Sequence, residues 1–413
     1  MSTNIPVNID LEHRRCNVGN EPMIFHCHHY NTFLQRSIED AEYIDSKPFL
    51  IGAGAEVAYN QLTNIFSHLD INDVIKRKAL AQDIYRWAGF GTFDLSPLNE
   101  HGGVIKSNHS HYAFSWHAKW KEADHPVCYF ASGWLAGALA AIYNKPNGTY
   151  SVEHSECSAV ASNEECVFVL KTGTPNYNVY SSVGVGSLSS HKIREVPPNN
   201  VDYNGILSAV GSLPLVGNNE GLIPAFGVYL TRHYANYYNR ISFELLHALI
   251  GKFGDEGRDV AMPLLVEAGH VCAFNTFGGI MSSTEWDALI RPNLKSKQDW
   301  VHGIVAVVNA LGWGRWQITS VSETEAEFVI HDDYEAVGYQ SMYGKSNYPV
   351  SFLAQGGVAG IMNLVYVGDI ASKPSLTPDF YDRLFKQSDV FKAEALTSRA
   401  MGDEVTSFRV RKP

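Results

Sequence analysis

The chain has 413 residues, 45% of them hydrophobic and 18% charged, with a net charge of −11. That length is too great for one ordinary core and predicts two domains. An acidic balance with no long run of Lys or Arg argues against nucleic-acid and anionic-membrane partners, which are held through basic patches.

Residues Met1–Arg15 lack an apolar stretch of the secretory kind. The expectation is a cytoplasmic protein whose six cysteines stay reduced, favouring metal over disulfides. Residues 1–24 read as a polar arm or an edge strand. Phe25-His26-Cys27-His28-His29-Tyr30 follows. If this segment is extended, His26 and His28 share one face and Cys27 and His29 the other; if helical, His26 and His29 lie on one side. Imidazole is a common metal ligand and general base, so His26, His28 and His29 are the candidate catalytic residues. A His-rich surface strand is the plainer alternative.

A helix is expected to start near Tyr30, and Val57, Leu62, Ile65 and Phe66 have helical spacing. Ile51-Gly52-Ala53-Gly54 resembles a dinucleotide loop without its third Gly, which is weak support for a nucleotide. Val74–Trp87 reads as an amphipathic helix with Gly89 as its C-terminal cap. Phe90–Leu95 alternates like a strand, with Gly103–Lys106 as its expected partner. In Ser107–Trp116, period two sets His109 and His111 on one face and Tyr112 and Trp116 on the other. An imidazole face beside an aromatic face suits a pocket for a flat organic molecule; a half-buried strand with a wet His side is the alternative.

Pro126–Tyr143 is long enough to be tested as a membrane span, but its Cys128, Ser132 and two Gly fit a buried packing helix better. After a polar turn comes Ser-Val-Glu153-His154-Ser-Glu-Cys157, and then Cys166. Cys128, Cys157 and Cys166 plus one oxygen or nitrogen donor would make a closed four-coordinate zinc site; three separate buried thiols are the alternative.

The run Pro126-Val-Cys128 … Ser-Gly-Trp-Leu-Ala-Gly … Val-Glu-His-Ser-Glu-Cys157 … Cys166-Val-Phe-Val-Leu resembles the zinc-binding end of the 4-vinyl reductase domain. It is most similar to the phenol- and xylene-sensing N-terminal regions of XylR/DmpR-type bacterial activators. The resemblance covers most of residues 25–170 and is specific around the thiols. It implies structural zinc held by Cys128, Cys157 and Cys166, with Glu153 or His154 as fourth ligand. It also implies an aromatic-ligand pocket. The Trp of the sensors falls at or near Trp116, and their phenol-binding His falls near Tyr85, so the expected ligand is not simple phenol.

Thr172–Gly227 is rich in Gly, Ser, Asn and Pro and reads as a linker. Beyond it the chain repeats itself. His29–Arg36 matches His233–Arg240, Gly54–Asn60 matches Gly269–Asn275, Gly89-Phe-Gly91 matches Gly312-Trp-Gly314, and Pro126–Gly133 matches Pro349–Gly356. Ser351, Ser398 and Ser407 stand where the first copy has its thiols, and hydroxyls do not replace thiolates on zinc.

The expected architecture is therefore α+β, a duplicated domain of antiparallel sheet packed with helices. Residues 1–171 carry the zinc site, 172–227 link, and 228–413 form a copy without metal thiols. The two copies pair as an internal pseudo-dimer, with homodimerisation left open. Two functions are in play. One is an enzyme on a small aromatic or conjugated molecule, using His26, His28 and His29 as acid/base groups or as holders of a second metal. The other is a non-catalytic binding protein of the sensor type. The His cluster and the lack of a visible output segment favour the enzyme at this stage.

Overall fold

The structure, a computed structural model, describes residues 5–161, 163–189 and 200–413. The elements run β1 (Val7–Asp10), β2 (Arg15–Val18), β3 (Glu21–Cys27), α1 (His28–Glu39), α2 (Lys47–His68), α3 (Val74–Trp87), β4 (Gly102–Ser107), α4 (His111–Trp120), α5 (Tyr129–Ile142), β5 (Tyr150–Glu156), β6 (Cys166–Thr172) and α6 (Tyr203–Gly211). They continue with β7 (Ile223–Ala225), β8 (Val228–Tyr234), α7 (Ala235–Phe253), α8 (Asp255–Cys272), α9 (Gly278–Ser282), α10 (Thr284–Leu289), α11 (Lys297–Ala310), β9 (Arg315–Val321), β10 (Glu325–His331), α12 (Tyr334–Tyr343), α13 (Phe352–Met362), α14 (Pro378–Phe385), β11 (Lys392–Thr397) and β12 (Thr406–Arg411). Three antiparallel sheets result, with orders β1-β2-β3-β8-β7, β4-β6-β5 and β11-β12-β10-β9. The α+β class is as expected.

α2 packs closely against α5 in the interior, and small residues permit it. A Cβ at Gly133 would lie 1.9 Å from the Ile51 carbonyl oxygen, one at Gly54 2.7 Å from that of Phe130, and one at Gly137 2.2 Å from that of Ala55. Ile51-Gly52-Ala53-Gly54 is thus inside a helix and is no dinucleotide loop. Every residue of α5 is buried, as expected of a packing helix. The pair α8 and α13 meets in the same way: a Cβ at Gly356 would lie 2.4 Å from the Val266 carbonyl oxygen and one at Gly269 2.8 Å from that of Leu353.

The central sheet joins early and late parts of the chain. β3 and β8 pair with Phe25 opposite Arg232 and His26 opposite Thr231. Each strand also takes a bond from beyond the other: Phe25 N–H donates to Leu311 O at 3.0 Å and Arg232 N–H to Ala88 O at 2.8 Å. Gly89 and Gly91 have φ of 90° and 113°, and Gly312 and Gly314 have 89° and 112°. His26 stacks on Tyr30 and Trp313, while His233 packs on Tyr237 and Phe90. His26 and His233 are each the second-last residue of their strands.

Three local expectations are corrected. Residues 107–116 are not one alternating strand; β4 ends at Ser107 and α4 begins at His111, so the two-face reading of His109, His111, Tyr112 and Trp116 fails. Phe90–Leu95 is no strand, and β4 pairs with β6 instead. The His cluster straddles a junction, with His26 and Cys27 ending β3 and His28 and His29 opening α1. Within the 172–227 segment, α6 docks through buried Ile206 and Val210, β7 joins the central sheet, and residues 190–199 lie outside the described residues.

Two tests follow from this packing. Gly133→Ala places a Cβ against backbone that cannot step aside, and should cost about 1–3 kcal/mol or more, read as a lowered Tm; an unchanged Tm would show that the α2–α5 contact is looser. The second concerns Glu21. It is fully buried and accepts hydrogen bonds from Asn60, from Asn236 at 3.0 Å and from Ser182 at 3.4 Å. Burial, aided by the nearby Glu56 charge, pushes its carboxyl up to about 8. Between its ordinary value and about 8 the native state holds a proton that the unfolded chain has released, so stability falls as pH rises through that window. Glu21→Gln cannot titrate, so its Tm should change less than the wild-type Tm between about pH 5 and about pH 8; parallel profiles would remove Glu21 as the cause.

Candidate metal centre

Three separate elements bring donors to one point. Cys128 is the N-cap of α5, with φ −89° and ψ 53°. β5 and β6 form a hairpin whose register slips between His154 and Glu156, a bulge that re-aims the end of β5. In β5 the alternation buries Val152, exposes Glu153 and turns His154 inward, where its ring stacks on Phe168 at 4.3 Å. Cys157 follows β5 and Cys166 opens β6. The loop before Cys128 is tied to the loop after Cys157 by Ala123 N–H donating to Ala159 O at 2.8 Å.

The sulfurs of Cys128, Cys157 and Cys166 lie 3.9, 3.9 and 4.0 Å apart, too far for disulfides. One imidazole nitrogen of His154 joins them, all four donor atoms lying within 4.8 Å of one another. A tetrahedral ion with bonds of about 2.3 Å to sulfur needs sulfur–sulfur edges of about 3.8 Å, so the spacing fits. All three thiols are fully buried. Both nitrogens of His154 are out of solvent and, among the described residues, lack a hydrogen-bond partner. A buried imidazole in that state is costly unless something takes its lone pair. This Cys3His group could therefore hold a metal ion.

Its electrostatics suit a cation. The Cys128 and Cys166 thiols donate to the Cys157 sulfur, and the backbone N–H groups of Val127 and Ala159 help, holding the Cys157 thiol down at about 3. Burial, with the neighbouring sulfurs, pushes Cys128 up. A cation would displace the remaining thiol protons. Around the group, Ser110 Oγ lies 3.1 Å from Cys128 Sγ, and Ser158 N–H and Oγ each lie 3.5 Å from Cys166 Sγ. Of the two fourth-ligand expectations the structure brings in His154; Glu153 points to solvent, because strand neighbours face opposite ways.

The other expected residues do not gather at one place. His26 is sealed among aromatic rings, its Nδ1 3.6 Å from Cys272 Sγ, and burial holds it well below its ordinary value. His28 Nδ1 accepts from Tyr229 N–H at 3.2 Å, and His29 packs on it at 3.9 Å; burial takes them down to about 4 and about 3. Among the described residues no second group of three or more His, Cys, Asp or Glu donors converges, so the second-metal expectation gains no site there. His111 Nε2 is 3.0 Å from Asn31 Nδ2 and Tyr112 OH 3.1 Å from His233 Nε2, both in the interior. Tyr85 packs in another aromatic cluster with Phe90, Phe93 and Trp134. Trp116 lies against Trp120. His109 is exposed and lines a cavity of about 250 Å³ with Ser110, His117, Ser158 and Glu220, beside the sulfurs. Sequence reasoning missed Ser110 and Ser158; serine is too common beside cysteine to be a signal.

No protein family matches the sequence, and no curated protein does. Among solved structures, the phenol-responsive sensory domain of the transcription activator PoxR, crystallised with phenol, matches at 14% identity and a TM-score of 0.38. That match covers 51% of this chain and 89% of that one.

Removing any one sulfur, as in Cys128→Ser, Cys157→Ser or Cys166→Ser, should abolish metal binding, and His154→Ala should weaken it severely, with a lower Tm in each case. Ser110→Ala should cost about 10- to 100-fold in metal affinity, while Glu153→Gln should leave it unchanged. Elemental analysis and chelator competition read all six; metal lost in the Glu153 variant and kept in the His154 variant would reverse the assignment.

Proposed function

We propose that the protein is a non-catalytic binding protein for a small aromatic molecule, with a fold pinned by one zinc ion. The observation that carries this reading is closure. Three sulfurs and an imidazole nitrogen converge in a site whose sulfurs meet no solvent, and as thiolates and neutral imidazole they would fill the four positions zinc prefers. Bound there, zinc would tie α5 to the β5–β6 hairpin as a Lewis-acidic but coordinatively saturated centre, with no open position for water. The resemblance to aromatic sensors supplies the ligand class. The enzymatic reading loses part of its support, because of its three candidates His26 is sealed in the interior, His28 is buried against Tyr229, and among the described residues the three do not converge with other donors on one centre. Reduced thiols also favour a cytoplasmic setting.

The same reading takes residues 228–413 as a degenerate copy of 1–171, paired with it across the β3–β8 ladder as an internal pseudo-dimer and linked by 172–227. The order strand, three helices, hairpin strand, two helices and a final hairpin supports it, with α9 and α10, a further strand and α14 added in the later part. So do the matched φ values of Gly89 and Gly91 with Gly312 and Gly314. Ser351 caps α13 with φ −86° and ψ 64°, almost the backbone of Cys128.

Elemental analysis of the purified full chain should give one zinc per chain and no redox metal. A panel of alkylphenols and naphthols, followed by native mass spectrometry, should show one bound molecule recovered chemically unchanged after incubation. A redox metal, a second metal equivalent or a converted aromatic compound would return the enzyme to first place.

A further inference from the structure

A cleft of about 1,040 Å³ lies away from the sulfurs, between α1, α4, α8 and the start of α14. Its floor is apolar. Val260 and Leu264, one turn apart on α8, remain 56% and 36% exposed there, and Phe274 and Leu376 continue the surface. α1 contributes His29, Phe33 and Arg36 from one face, and α4 contributes Lys119 and Trp120.

The cations of this cleft are not equivalent. Arg36 is paired with Asp40 at 3.4 Å and Lys386 with Asp382 at 2.9 Å. Lys119 Nζ faces two rings, Phe33 at 5.0 Å and Trp120 at 4.8 Å, and beyond them the buried Cys27 thiol, which burial keeps neutral. Among the described residues no carboxylate, carbonyl or hydroxyl lies within hydrogen-bond or ion-pair distance of it. An ammonium group that is largely desolvated and unpaired is unfavourable, and burial accordingly takes Lys119 down to about 8. Beside it His29 is neutral and adds no competing charge. One unanswered positive charge at the end of an aromatic and aliphatic trough is complementary to one negative charge on a flat apolar body.

We propose that this cleft binds an aromatic monocarboxylate, with its carboxylate on Lys119 Nζ, its rings against Trp120 and its far end along Val260 and Leu264. The proposal rests on the small-aromatic reading for the body of the ligand; the charge comes from Lys119 alone. A neutral phenol would leave the ammonium unanswered, and a dicarboxylate would bury a second, uncompensated charge.

The test uses the full-length, zinc-loaded protein and two probes with one ring system, 9-anthracenecarboxylate and neutral 9-anthracenemethanol, titrated by fluorescence. Saturable binding at one site is expected, with the acid roughly 10- to 100-fold tighter than the alcohol, the value of one charged hydrogen bond. Lys119→Met should reduce the acid to the level of the alcohol, and Lys119→Arg should keep the preference. Zinc content and circular dichroism show whether the variants are folded; the acid-to-alcohol ratio in the wild type decides the question even if they are not. Equal affinities for acid and alcohol in the wild type, or a preference that survives Lys119→Met, overturn the proposal while leaving aromatic binding intact. If neither probe binds and the phenol and naphthol panel also fails, the functional reading falls with it.

Discussion

The antiparallel pairing of β3 with β8 is the constraint on which the rest of the architecture depends. Both strands are buried, so their backbone groups must be answered from within the protein. The answers come crosswise. Phe25 N–H reaches Leu311 O and Arg232 N–H reaches Ala88 O, while Trp313 Nε1 donates to Phe25 O at 2.8 Å. His26 leans on Trp313 and His233 on Phe90, each beyond its own stretch of chain. Neither stretch can satisfy its central strand alone. A bidentate pair, Arg240 Nε and Nη2 on Glu56 at 2.9 Å each, adds a charged tie between α7 and α2 with both partners buried. Breaking such a pair from one side leaves an uncompensated buried charge.

At the outer ends of this frame the two stretches solve one problem differently. An apolar helix, α5 or α13, starts deep in the interior and its entry must be fixed to the neighbouring hairpin. Around α5 the agents are sulfur and imidazole. Around α13 they are carboxylates and hydroxyls. Asp333 is bonded to Ser351 and, at 3.3 Å, to Thr406 of β12. Glu335 accepts the Leu353 and Ala354 N–H groups at 3.0 Å each, answering orphan donors of the first turn. Burial raises both carboxyl groups above their ordinary range. The oxygens around α13 are held by their own hydrogen bonds, whereas three adjacent sulfurs 3.9–4.0 Å apart offer one another only weak ones.

Where a local rule governs, the sequence is legible. Val74–Trp87 is read to the residue because Asp73 accepts from Lys76 N–H at one end and Gly89 takes positive φ beyond the other. The convergence of Cys128, Cys157 and Cys166 is legible mainly through the resemblance around them; their spacing alone leaves three separate buried thiols equally open. The choice of His154 over Glu153 is not, because it turns on strand alternation and a bulge. The stretch 107–116 misleads because its His, Ser and aromatic residues alternate by chance over a turn into a helix. The cluster at 26–29 defeats both periodicities because β3 hands over to α1 within it. Lys119 gives no signal at all: its surroundings come from four elements far apart in the chain.

α4 joins the two places where the chemistry collects. Its cap, Ser110, lies at hydrogen-bond distance from the Cys128 sulfur, and its last turn carries Lys119 into the cleft. Ten residues of helix span about 15 Å, a stiff distance with little freedom between its ends. The far end is held in turn by Arg36 over the Trp116 and Trp120 rings, at 5.6 and 5.4 Å. Lys119 can remain unpaired because helix and rings hold it there; on a mobile loop it would swing to water and recover its hydration. The order that a metal would give to the sulfur end is therefore continuous, through one short helix, with the order that keeps a lone ammonium group facing an apolar trough.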